Sequence, residues 1–142
     1  MEPAIKIYSL SEANAMIPEV TEHLKKIFSK KETYAKLHDE VLMHELLTEA
    51  EKQAGIDFNE DHLDKDRKNL EEEVTEIGQD ILSLIQTGCL IRDLEIGIVE
   101  FRGELKGELV YFFWEYGQPS IQFYRNMQDH PKEKRPLPSK PH

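Results

Sequence analysis

The chain reads as an α+β domain: a long antiparallel helical hairpin packed on a small antiparallel sheet of three to four strands. Three observations predict it. Apolar residues recur at alternating steps of three and four over two long stretches, as one stripe of an α-helix requires. A short turn-prone break, Gly55 to Asp61, separates the stretches, so the helices must double back. After Gly88 the apolar period changes to two, the signature of β-strands.

The first helix is expected from about residue 10 to residue 52. Ile5-Lys6-Ile7-Tyr8 alternates and suits a short edge strand. Ser9-Leu10-Ser11-Glu12 then has the capping-box spacing, in which Ser9 and Glu12 satisfy each other's backbone amides. The stripe runs through Leu10, Ala13, Ile17, Val20, Leu24 and Ile27. It weakens at Lys31, so the helix is either continuous or interrupted near Lys30-Lys31, and resumes at Tyr34, His38 and Val41, with Leu42, Leu46 and Leu47 alongside. Pro18 lacks an amide donor and its ring meets the carbonyl of Asn14, so a bend is expected there.

The second helix is expected over about 61–87, on Leu63, Leu70, Val74, Ile77, Ile81 and Leu84. Gly88 should close it in the left-handed conformation. Strands follow at Cys89 to Phe101, Leu109 to Trp114 and Ser120 to Arg125, with turns at Gly103 to Glu108 and Gly117-Gln118-Pro119. The domain is expected to occupy residues 1–130. The last twelve residues hold four prolines and four basic side chains, and 131–142 is expected to be a mobile tail.

Composition restricts function. With 28 acidic and 18 basic side chains the net charge is −10, and residues 40–80 alone, with fourteen acidic and four basic, account for all of it. Such a surface repels phosphate backbones, so no nucleic-acid partner is expected. It is either a solvated face, a docking surface for a basic protein, or a set of carboxylates able to take a divalent cation. A single cysteine excludes an internal disulfide. No apolar run reaches the ~20 residues of a membrane helix, and Met1-Glu2-Pro3 does not resemble a signal peptide. A cytoplasmic protein without a membrane partner is expected.

The strand from Leu109 to Trp114 raises a question of coverage. Alternation puts Val110, Phe112 and Trp114 on one face and Leu109, Tyr111 and Phe113 on the other. One hairpin covers one face. The second face needs another copy of the chain, a client or the C-terminal segment. A homodimer through Leu109, Tyr111 and Phe113 is the expected solution.

Catalytic, metal and cofactor signals are weak, and none is assigned. Glu19 with His23 and Glu40 with His44 are i,i+4 pairs without the Glu-x-x-His spacing of di-iron bundles. His44-Glu45 lacks the second histidine of a zinc protease. Cys89 has no neighbouring base, and no phosphate-binding glycine loop or nucleophile elbow occurs. The most suggestive polar group is Glu100, Arg102, Glu115, Tyr124 and Arg125, on adjacent strands. They are either cross-strand charge pairs or the wall of a small anionic-ligand pocket near Trp114, Tyr124, Arg125 and Arg102.

Ser9-Leu10-Ser11-Glu12-Ala13-Asn14 with Pro18, then Gly88, Gly97-Ile98-Val99-Glu100-Phe101 and Trp114-Glu115-Tyr116-Gly117-Gln118-Pro119 occur in that order. In this the chain, from Tyr8 to about Leu137, resembles the bacterial family called domain of unknown function 2203. The resemblance implies a strand, a long helical pair and a sheet, and implies no activity. Where the family has Trp-His-Glu and later Gly-Phe-x-Gly-Arg-x-Pro, this chain has Tyr124-Arg125-Asn126 and His130 to Leu137, retaining only Arg135 and Pro136 of the second piece. Three readings remain, the last of them a metal-binding helical protein using hairpin carboxylates and His38 or His44. The first is a non-enzymatic interaction module, self-associating through its sheet and presenting an acidic hairpin reminiscent of a coiled coil. The second is a small enzyme or anion-binding protein.

Overall fold

The computed structural model describes residues 6–56 and 61–138, and only the backbone at 61 and 62. The helices are α1 (Leu10–Ala15), α2 (Ile17–Gln53) and α3 (Asp61–Gln86). The strands are β1 (Leu90–Asp93), β2 (Ile98–Leu105), β3 (Glu108–Glu115), β4 (Phe123–Asn126) and β5 (Arg135–Pro136). The strands form one antiparallel sheet in the order β1-β2-β3-β4-β5. The class is α+β as expected, with five strands instead of three or four.

The chain divides into two compact units: Lys25–Ile81, and Met1–Leu24 with Leu82–His142. In the first, α2 and α3 are antiparallel. Lys30 meets Asp80 at 2.7 Å, and further along α2 His44 meets Asp66 at 2.5 Å and Arg67 meets Glu45 at 3.0 Å. Ile27, Val41 and Leu63 are its buried apolar residues. α2 is unbroken through Lys30-Lys31.

The break falls earlier than the lysines. α1 ends at Ala15, Met16 is its cap, and Pro18 stands in the first turn of α2. A first-turn amide has no partner within its helix, so proline costs nothing there, and the expected bend becomes a helix boundary. Asn14 is used through its side chain, whose Oδ1 accepts the Ile121 amide at 2.8 Å. The capping box forms: Ser9 Oγ accepts from the Glu12 amide at 3.1 Å, and the Ser9 amide donates to Glu12 Oε1 at 3.0 Å. These bonds hold the Glu12 carboxyl below its ordinary pKa.

In the sheet unit, Ala13, Ile17, Val20, Leu24 and Leu84 from the helices are buried with Val99, Phe101, Val110, Phe112, Trp114 and Ile121. Tyr8 completes this core. It is fully buried, packs edge-on to Phe101 at 5.2 Å, and donates its hydroxyl to the Thr87 carbonyl at 2.6 Å. Instead of an edge strand over 5–8, Tyr8 makes one isolated parallel bridge to Gly103, and residue 5 lies outside the described residues. Gly88 closes α3 with φ +100°, as expected. Burial pushes the Cys89 thiol above its ordinary pKa, which is the wrong direction for a nucleophile.

Two turns differ from expectation. A turn at Leu94–Gly97 divides the first expected strand into β1 and β2, with Asp93 Oδ1 accepting from the amides of Glu95 and Ile96. The β2–β3 turn is only Lys106-Gly107, at φ 53° and 80°. Two consecutive positive φ values make a type I′ hairpin turn, whose twist matches the flanking strands. That turn fixes the register Leu105↔Glu108 through Ile98↔Glu115.

Candidate functional site

The register sorts the candidate residues. Trp114 and Tyr124 project on the core side with Phe112, whereas Arg102, Tyr111, Phe113 and Arg125 project on the other, so a single pocket of Trp114, Tyr124, Arg125 and Arg102 does not form. Trp114 is buried and donates Nε1–H to the Gln118 carbonyl at 2.9 Å, a structural use of its one polar atom. Tyr124 stands half-buried opposite Arg135 of β5.

The outer face is where charge gathers. Glu100 and Arg125 are buried, with 1% and 4% of their surface exposed. Arg125 grips both carboxylate oxygens of Glu100, Nε–Oε2 at 2.8 Å and Nη2–Oε1 at 3.2 Å, and Arg92 of β1 reaches the same carboxylate. Arg102 donates Nη2–H to the Tyr111 hydroxyl at 3.0 Å. The guanidinium carbons of Arg125, Arg102 and Arg92 lie 4.1, 5.6 and 5.7 Å from the centre of the Tyr111 ring. Guanidinium planes are attracted to the negative face of an aromatic ring and are less strongly hydrated than ammonium groups, so they can cover one.

The expected apolar second face is therefore corrected. Tyr111 is half-buried among arginines. Phe113 packs edge-on to Phe123 at 6.5 Å, and Lys134 lies 4.7 and 4.4 Å above those two rings. Leu109 alone of the three proposed interface residues is half exposed, at 50%. The segment expected as a tail supplies part of this cover through Lys134, and β5 pairs with β4; on the other side of β5, Arg135 donates two bonds to Asp129 at 2.9 Å each. Those bonds and the Asn126 amide hold the Asp129 carboxyl below its ordinary pKa. Residues 139–142 lie outside the described residues.

The hairpin holds a second feature. Val41 is buried, yet its neighbours Leu42, Met43, Leu46 and Leu47 are 46, 61, 57 and 57% exposed. At i, i+1, i+4 and i+5 they form one stripe. His44 and Glu45, on the other side of the same turns, reach Asp66 and Arg67 of α3. Glu40, Glu49 and Glu51 flank the stripe in helical projection, and Asp39 lies in line with it one turn before Met43.

Sequence reasoning missed Arg92 and the role of Tyr111. Both follow once the register is known, because Arg102 stands opposite Tyr111, Tyr111 opposite Arg125, and Leu90, two residues before Arg92, opposite Glu100. Among the described residues, no group of three or more His, Cys, Asp or Glu side chains is placed to hold a metal ion, and no helix is long and apolar enough to cross a membrane.

No curated protein and no solved structure matched the chain. One family profile did, over nearly the whole length and over the segments that build both the helical pair and the sheet. By that match to residues 6–137, the chain belongs to the family described as uncharacterized conserved protein DUF2203.

Proposed function

We propose that this protein is a non-enzymatic interaction module that docks a basic amphipathic helix on its acidic hairpin. The observation that carries the reading is the exposed stripe Leu42, Met43, Leu46 and Leu47 on α2. Four large apolar side chains in a row on a surface helix forgo burial worth about 1.5–3 kcal/mol each when complete. Helix-in-groove recognition uses such anchors, and methionine and leucine adapt to varied partners. The carboxylates beside the stripe select the charge of the partner. They also oppose a second copy of this chain there, since two acidic rims would face each other.

The test is titration of a labelled leucine–lysine amphipathic peptide into the full chain, followed by anisotropy, with a leucine–glutamate peptide as control. Saturable, salt-sensitive binding of the lysine peptide is expected, with none for the control. The Leu46→Ser/Leu47→Ser variant should bind about tenfold or more weakly, from loss of two apolar contacts. Equal binding by the variant, or none by wild type, would overturn the reading.

Self-association through the sheet is a second reading, favoured by the exposure of Leu109 and, at 40%, of Leu90 on the same face. The arginines around Tyr111 and the lysine over Phe113 weigh against it. Sedimentation at micromolar concentration checks it: under this reading the wild type is a dimer and Leu109→Arg a monomer. A monomeric wild type contradicts it.

A further inference from the structure

We infer that the outer face of the sheet holds a binding site for a small phosphate monoester, formed by Arg92, Arg102 and Arg125 around Tyr111. The first observation is charge. Three guanidinium groups converge on one ring, and Glu100 is the carboxylate that Arg92 and Arg125 share, while Arg102 pairs with no carboxylate among the described residues. The cluster therefore carries two positive charges more than it neutralises. No other carboxylate is in ion-pair contact with its three arginines among the described residues. Asp129 is bound to Arg135, and Lys134 adds a further cation beside Phe113. Glu104 and Glu115 share the face, but neither joins an ion pair among the described residues.

The second observation is an unused donor. Arg102 Nε is buried and has no hydrogen-bond partner among the described residues, although Nη2 of the same side chain is bound to Tyr111. A buried guanidinium N–H without an acceptor is costly, and an oxygen that displaced the cover over it would remove the penalty. Arg92, whose side chain is 37% exposed, is the member of the cluster that faces solvent.

These two facts select the ligand. An arginine fork is matched by oxygens held in a fixed geometry, as in carboxylate and phosphate. An excess of two charges is balanced by a phosphate monoester, which carries about −1.5 to −2 at pH 7, and only half balanced by a carboxylate. The site binds and orients the phosphoryl group. No catalytic step is assigned to it, and it is separate from the hairpin stripe.

Inorganic phosphate is the probe, titrated at pH 7.5 into the full chain against chloride and acetate at matched ionic strength. The arginine Nε–H signals in a nitrogen-15 spectrum and the thermal unfolding midpoint are the readouts. Phosphate is expected to move the Arg102 Nε–H signal saturably and to raise the midpoint more than acetate, with chloride without effect. Arg102→Ala should weaken binding about tenfold or more, by loss of a charge-assisted bond. Arg102→Lys should restore part of it, and Arg67→Ala on the hairpin should leave it unchanged. Should Arg102→Ala fail to fold, the wild-type Arg102 signal still decides. An unmoved signal, or equal midpoint shifts for all three anions, overturns the site.

Discussion

Gly103→Ala is expected to be among the most damaging single substitutions in the sheet unit, costing about 2–3 kcal/mol by overpacking. The reason is geometric. A Cβ at Gly103 would stand 2.6 Å from Phe112 Cδ2 and 2.6 Å from the Tyr8 carbonyl oxygen. Both neighbours are completely buried. The Tyr8 carbonyl also accepts the Glu104 amide at 3.2 Å, and the Tyr8 amide donates to the Arg102 carbonyl at 2.8 Å. Room for a methyl group would come only by breaking the bridge that ties the N-terminal segment to β2. Gly78→Ala is the contrasting control. It lies within α3, a Cβ there meets nothing within 4 Å, and its φ is ordinary. Alanine should stabilise that helix by about 1 kcal/mol through reduced backbone entropy. Urea unfolding should thus move in opposite directions for the same chemical change. Equal shifts would contradict the packing at Gly103.

Arg125→Met should cost about 3 kcal/mol or more, because it leaves Glu100 buried with only the partly exposed Arg92 to balance it. A buried ion pair is weak evidence for stability, but breaking one from a single side leaves an uncompensated charge. The double variant Arg125→Met/Glu100→Leu should therefore recover most of the loss, Arg92 turning out to solvent. A double-mutant cycle by chemical unfolding measures this, and additive losses would show that the two side chains do not act as a pair.

Local chemistry was legible in the sequence wherever one residue type decides the backbone. Ser9 with Glu12 forms its capping box, Gly88 takes positive φ, and the change of period after it marks the sheet. Register was not legible. Alternation gives the parity of each strand, but not which residues stand opposite. The type I′ turn that fixes register here is Lys106-Gly107 and not the asparagine–glycine pair that would announce it. Without register, Tyr111 reads as one more apolar residue, when it is the ring on which three arginines gather. Nor could strand pattern reveal β5, since Arg135–Pro136 is two residues long and polar.

The hairpin itself was legible, but the exposure of one side of it was not. A period of three and four locates an apolar stripe, but a unit of two helices buries a narrow seam. Val41 takes the seam, and Leu42, Met43, Leu46 and Leu47, which share its turns, are left at the surface. Of the residues proposed for the site, Arg102 and Arg125 come together, while Trp114 and Tyr124 stay on the core side. The docking surface proposed above therefore lies on the helix, whereas the sequence reading placed it on the sheet.

Methionine methyl spectra provide the most direct measurement of that claim. Met43 lies in the stripe, and Met127, 37% exposed, lies beyond β4 in the sheet unit and serves as an internal reference. With carbon-13 methyl labels at both, the lysine–leucine peptide should shift and broaden the Met43 signal and leave Met127 in place. A moving Met127 with an unmoved Met43, or two unmoved signals at saturating peptide, would contradict docking on the hairpin.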